Sequence, residues 1–122
     1  MLILKGGFVE VWGLRKSESQ KITTLSSDDH SEVLTLAFND EKSMLFAGYK
    51  TGNLAAWQLD EINFKFIGLS KLHNDAINKI VFHRSNFLIS CSSDTTVKIY
   101  DLLNDKIMDL NLGVQSVIFY LI

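Results

Sequence analysis

His73, Ser90 and Asp94 are the side chains of this sequence best suited to chemistry, with Cys91 beside the serine. A histidine beside a carboxylate can act as a catalytic dyad, and a serine or cysteine can supply a nucleophile. A hydrolase also needs that nucleophile exposed, with an oxyanion hole opposite it. Ser90 and Cys91 fall inside Phe87-Leu-Ile-Ser-Cys91, a short apolar run bounded by turn residues. Such a run reads as a strand interior. A structural role for His73 therefore outweighs a catalytic one, and Cys91 reads as a small core residue. His30 and His83 have no second ligand at metal spacing, so no zinc site is expected. Gly48-Tyr-Lys-Thr-Gly52 has the glycines and lysine of a phosphate loop, but the second glycine follows the lysine and no helical segment comes after. It reads as a β-turn. No catalytic residue, metal or cofactor is expected, and the chain reads as a non-enzyme.

Composition narrows the partners. The chain has 122 residues, enough for one small domain, and 47% of them are apolar, so a core can form. Its formal charge is -2, with no basic run or Arg-rich arm. A direct nucleic-acid binder needs a basic face, so that role is disfavoured. One cysteine cannot form an internal disulfide, which points to a reduced, intracellular setting, cytoplasmic or nuclear. The apolar start MLILKGGFVEVW lacks a basic leader and is interrupted by Lys5 and Glu10. No apolar run approaches the roughly 18 residues of a membrane span, so no membrane partner is expected.

The elements that must position these residues repeat. Val9-Glu-Val-Trp-Gly-Leu14, Leu54-Ala-Ala-Trp-Gln-Leu59 and Val97-Lys-Ile-Tyr-Asp-Leu102 align, and their aromatics Trp12, Trp57 and Tyr100 are 45 and 43 residues apart. Val33-Leu-Thr-Leu-Ala-Phe38, Ile77-Asn-Lys-Ile-Val-Phe82 and Val114-Gln-Ser-Val-Ile-Phe119 form a second set. Met44-Leu-Phe-Ala-Gly48 and Phe87-Leu-Ile-Ser-Cys91 lie between them. Fourth strands are expected at 21–25, 64–69 and 106–110. Gly, Asn, Asp and Ser punctuate the runs where hairpins should turn. A four-stranded unit with a period near 43 residues is the length of a propeller blade.

The stretches His73-Asn-Asp-Ala-Ile-Asn-Lys-Ile-Val-Phe82 and Leu88-Ile-Ser-Cys-Ser-Ser-Asp-Thr-Thr-Val-Lys-Ile-Tyr-Asp101 strongly resemble a WD repeat. The resemblance covers nearly the whole chain. It implies an all-β fold: a partial WD-repeat β-propeller of four-stranded antiparallel blades, not a closed ring on its own. The expected divisions are a half blade at 1–25, blades at 26–69 and 70–110, and the first strand of a further blade at 113–122. The resemblance also implies a buried network of His73, Ser90, Asp94 and Tyr100, with Ser90 linking imidazole to aromatic. Tyr100 departs from the usual Trp, so its hydroxyl should point elsewhere. The preceding blade keeps His30 and Trp57 but has Ala47 and Thr51 in the Ser and Asp places, so its network should be broken.

Function, on this resemblance, is that of a protein-binding scaffold or adaptor. The loops entering each first strand and the turns between second and third strands would meet partners. They hold Asp28, Asp29, Ser31, Glu32, Asn74 and Asp75, with Tyr49, Lys50 and Ser93 at the turns. Their acidic and hydroxylic character suits a partner with basic or amide groups. The chain is expected to start inside a third strand and stop inside a first strand. It would then be a fragment, a self-associating partial ring, or a subunit whose neighbours complete the propeller. The alternative is an RNA-associated factor, because Met44-Leu-Phe-Ala-Gly-Tyr-Lys-Thr-Gly-Asn-Leu-Ala-Ala-Trp57 is similar to repeats of plant proteins that join a CCCH zinc finger to a propeller.

Overall fold

A computed structural model describes residues 2–14, 18–61 and 63–111. Every regular element among them is a strand. The first sheet holds β1 (Leu2–Lys5), β2 (Phe8–Leu14) and β3 (Ser19–Leu25). The second holds β4 (Val33–Asn39), β5 (Met44–Tyr49), β6 (Asn53–Asp60) and β7 (Asn63–Lys71). The third holds β8 (Ile77–His83), β9 (Phe87–Ser92), β10 (Thr96–Asp101) and β11 (Lys106–Asn111). Each strand pairs antiparallel with the next in its sheet.

The turns use the chemistry that the sequence offers. Ser43 and Arg84 adopt positive φ between first and second strands, and Glu61 and Asp105 do so between third and fourth. Gly6 and Gly52 turn second strands into third ones at φ 59° and 91°. The pairing of β1 with β2 through Gly6 adds a strand that sequence reasoning missed. The chain therefore does not begin inside a third strand. Leu2–Lys5 is a second strand, too short to show a period of its own. The strand expected at 113–122 lies outside the described residues.

Alternation of side chains gives the middle sheet two apolar faces. Leu45, Ala47, Tyr49, Ala55 and Trp57 pack with Val9, Leu25 and Val33 towards the first sheet. Phe46 and Leu54 pack with Leu72, Ile77, Ile80 and Leu88 towards the third. The second and third sheets approach most closely at their first strands, where β4 runs against β8. Gly48 permits this approach, because a Cβ there would lie 2.8 Å from both Ile77 Cγ2 and Thr35 Cγ2. The buried Thr35 hydroxyl accepts the Ile80 amide at 3.1 Å and ties the two strands together. The three sheets stack side by side without closing a ring.

Candidate interaction face at the blade ends

At one end of the stack the fourth strand of each sheet hands over to the first strand of the next, beside the turns between second and third strands. The Gly52 turn lies beneath the incoming chain of the third sheet. Its carbonyl accepts the amides of Leu72 and His73, both at 3.0 Å. Gly6 and Gly7 serve the second sheet in the same way, and the Gly6 carbonyl accepts the Val33 amide at 2.6 Å.

His73 anchors the loop that enters β8. It is 2% exposed, with Nδ1 3.1 Å from Asp94 Oδ2 and Nε2 2.7 Å from Ser90 Oγ. Asp94 in turn accepts the main-chain amides of Asn74 and Thr96, each at 2.9 Å, and the Thr96 hydroxyl at 2.5 Å. Burial lowers the pKa of His73 and outweighs the opposing pull of the Asp94 carboxylate. The ring is then neutral, with its Nδ1–H facing both Asp94 and, at 2.9 Å, the Thr96 hydroxyl, and with Nε2 accepting the Ser90 hydroxyl. Burial pushes the Asp94 carboxyl up, but the Thr96 and Asn74 bonds prevail and hold it well below the usual range. Tyr100 is not in this network. Its hydroxyl donates to Asp105 Oδ1 at 2.6 Å, because a phenol carries its polar atom at the far tip of the ring. The second contact of Ser90 is the Lys98 carbonyl, at 3.4 Å.

The middle blade has a network after all, centred on Asp29 rather than His30. His30 is exposed and takes no part in it. Asp29 Oδ2 accepts the Thr51 hydroxyl and, at 2.8 Å, the Asn53 amide, while Oδ1 accepts the Ser31 amide at 2.8 Å. Burial pushes Asp29 up, but the Ser31 side chain, Thr51, the Ser31 main chain and Asn53 prevail and hold it at about 2. Thr51 and Asn53 correspond to Asp94 and Thr96 in the next repeat, so the loop residue is now the acceptor and the turn supplies the donors. No His30-centred network forms; Thr51 and Asn53 act instead as donors to Asp29, where an acid would have been an acceptor. Asn53 and Thr96 are linked by the same 43-residue spacing as Thr51 and Asp94. Trp57 contributes packing, 1% exposed, with Phe66 tilted against it at 5.8 Å between ring centroids.

The residues expected to meet partners divide in two. Asp28, Glu32, Lys50, Asn74, Asp75 and Ser93 are exposed. Asp29 and Tyr49 are buried, which corrects their assignment to a contact surface. Tyr49 ends β5 pointing into the core, with its hydroxyl 2.8 Å from Ser27 Oγ. Ser27 itself accepts the Asp29 amide at 3.1 Å, so it links Tyr49 to the anchor. Ser31 is half-buried beside Asp29, whose carboxylate accepts its main-chain amide. Ser93 accepts Asn78 Nδ2 at 3.0 Å.

His73 and Ser90 face each other buried in the core. Among the described residues no group of three or more His, Cys, Asp or Glu could hold a metal ion, and no helix is long and apolar enough to cross a membrane.

Residues 65–101 match the WD domain, G-beta repeat family. The chain is 32% identical over 90 residues to DDB1- and CUL4-associated factor 10 of Homo sapiens, covering 71% of this chain and 16% of that protein. It is 34% identical over 82 residues to nuclear distribution protein PAC1 of Candida albicans, covering 65% of this chain and 17% of that protein. The chain thus spans about a sixth of the length of these relatives. A chain in the crystal structure of the mitotic checkpoint complex superposes with a TM-score of 0.75 at 18% identity, over 91% of this chain and 35% of that one. The structure of U3-55K superposes with a TM-score of 0.72 at 19% identity, over 89% of this chain and 35% of that one. The three sheets have the fold of consecutive propeller blades.

Proposed function

Because the chain belongs to the WD-repeat family, we propose that it works as a protein–protein interaction module of an intracellular assembly, acting by binding and not by catalysis. The contact surface is the blade-end face. The observation that carries this reading is the alternation of anchored and presented residues on two equivalent loops. Buried Asp29 is flanked by exposed Asp28 and His30, and buried His73 is followed by exposed Asn74 and Asp75. Counting the main chain, each anchor makes three or more hydrogen bonds, so the exposed side chains start from a fixed backbone. A pre-ordered loop loses less entropy on binding. The relative named DDB1- and CUL4-associated factor 10 is called an associated factor of other proteins, and the checkpoint structure is that of a complex; both accord with this role.

Asp28, Glu32 and Asp75 against Lys50 make the exposed set acidic, which suits a partner with basic or amide groups. The same acidity disfavours direct contact with a phosphate backbone. The test is a triple variant, Asp28→Lys, Glu32→Lys and Asp75→Lys, in the full-length protein. Its co-purified proteins are quantified against wild type, and thermal melts check the fold. The expected result is loss of at least one major partner with an unchanged Tm. Recovery of the same partners in the same amounts would sink the proposal. RNA retained by wild type at low salt and released by added salt would instead favour an RNA-associated role.

A further inference from the structure

The two blade junctions follow one register but are filled differently. Val9 pairs with Leu25 and Val11 with Thr23, just as Leu54 pairs with Ser70 and Ala56 with Gly68. Trp57 pairs with Leu45 as Tyr100 pairs with Leu88. At the first junction Trp57 closes the space against Val9, Leu25 and Leu45. At the second, four positions carry a smaller residue: Ala56 for Val11, Gly68 for Thr23, Ser70 for Leu25 and Tyr100 for Trp57. Phe46 and Leu54 are larger than their counterparts Leu2 and Val9, and they form the buried inner wall of the space that remains. Tyr100 has its hydroxyl held by Asp105 in the turn that follows. A Cβ added at Gly68 would meet no atom within 4 Å.

The result is an open cavity of about 260 Å³ walled by Phe46, Leu54, Ala56, Ile67, Leu69 and Tyr100. Ile67 lines it while remaining 52% exposed. Its inner wall continues the buried core of Phe46, Leu54, Ile77 and Leu88.

We propose that this groove is a binding site separate from the blade-end face, and that it takes one large apolar side chain, aromatic by size, from an extended segment of a partner protein. The volume falls below the roughly 300–1,000 Å³ typical of small-molecule sites. An apolar cavity of roughly 150 Å³ takes a benzene, so about 260 Å³ has room for one aromatic side chain, the kind of buried anchor that dominates many protein interfaces. The groove continues an existing packed junction, so an inserted ring would extend the core as Trp57 does one blade earlier. Among the described residues, β7 is the outer strand of its sheet, with its main-chain edge available to an extended segment lying alongside.

The probe is a phage-displayed library of random peptides, selected on the full chain and on a variant carrying Gly68→Thr with Tyr100→Trp. Those substitutions copy the first junction, so the variant is expected to fold with an equal or higher Tm. Should the pair disturb folding, Gly68→Val alone fills the same space. Peptides sharing an aromatic residue should emerge on wild type and bind the filled variant at least about tenfold more weakly. Asp75→Lys at the blade-end face should leave them unaffected. The proposal is overturned if no such peptides emerge, if their binding survives the filling, or if it follows Asp75→Lys instead. It is also overturned if the filling abolishes a concentration-dependent dimer, since the occupant is then a second copy.

Discussion

A neutral imidazole has one donor and one acceptor, and at His73 both are used, towards Asp94 and Ser90. A carboxylate has only acceptors, and at Asp29 they are filled from the Thr51 hydroxyl, the Asn53 amide and the Ser31 main chain. Either arrangement satisfies a buried polar group, and it is the satisfaction rather than the residue type that holds the loop. Removing an anchor strands its partners, at a cost of about 1–3 kcal/mol. Asp29→Ala and Asp94→Ala should therefore destabilise the chain to a similar degree in urea melts. Thr51→Ala should cost less, roughly 0.5–1 kcal/mol, because Asn53 and the Ser31 amide remain on the carboxylate. If Asp29→Ala melted like wild type, the middle blade would be held by packing alone. His73, Ser90 and Asp94 were legible in the sequence because their types match the family pattern. Asp29 was not, because a histidine stands next to it, at the same distance before Trp57 as His73 stands before Tyr100. A one-residue offset in a loop leaves no trace in a spacing.

Strands were the most legible elements, since apolar runs bounded by turn residues carry their own signal. Turns were less so, because their demands come from the neighbouring blade. Gly7 and Gly52 stand 45 residues apart, as Trp12 and Trp57 do. A Cβ at Gly7 would lie 2.8 Å from the His30 carbonyl oxygen, and one at Gly52 would lie 2.1 Å from that of His73. These glycines are shaped by the incoming loop as well as by their own hairpin. At the corresponding turn of the third sheet, Thr95 adopts φ 72°. A β-branched residue there is strained. Two opposite outcomes follow. Gly52→Ala should lower stability by about 3 kcal/mol, since both the clash and the positive φ must be relieved. Thr95→Gly should raise it by up to about 1 kcal/mol, the order of the left-handed penalty removed. Denaturant midpoints of the two variants check both signs. A destabilised Thr95→Gly would mean that the threonine side chain makes up for its backbone strain.

At the scale of the molecule, the stack places one buried titratable anchor in each of the second and third blades. Acid should act on them at different pH. His73 has its pKa lowered from 6.5, chiefly by burial, against Asp94 and Asp109, which raise it, while Lys98 adds to the lowering. The unfolded chain therefore binds a proton that the folded chain refuses. Stability from this site is full above about pH 7 and is lost as pH falls through 6.5 towards the folded value. Asp29 works in the same direction at lower pH. Its carboxyl is held at about 2 against 3.8 when free, so its contribution is present above about pH 4 and lost on the way to pH 2. Asp94 adds to that second loss, since its pKa is also lowered. Urea midpoints measured from pH 8 down to about pH 2 should thus fall in two stages. His73→Gln should be less stable at pH 7 and should flatten the profile between about pH 7 and 5, leaving the acid stage in place. Asp29→Asn should do the reverse, shrinking the acid stage only. A wild-type profile flat from pH 7 to 5 would show that His73 keeps its ordinary affinity for protons, with the Asp94 carboxylate offsetting burial in full.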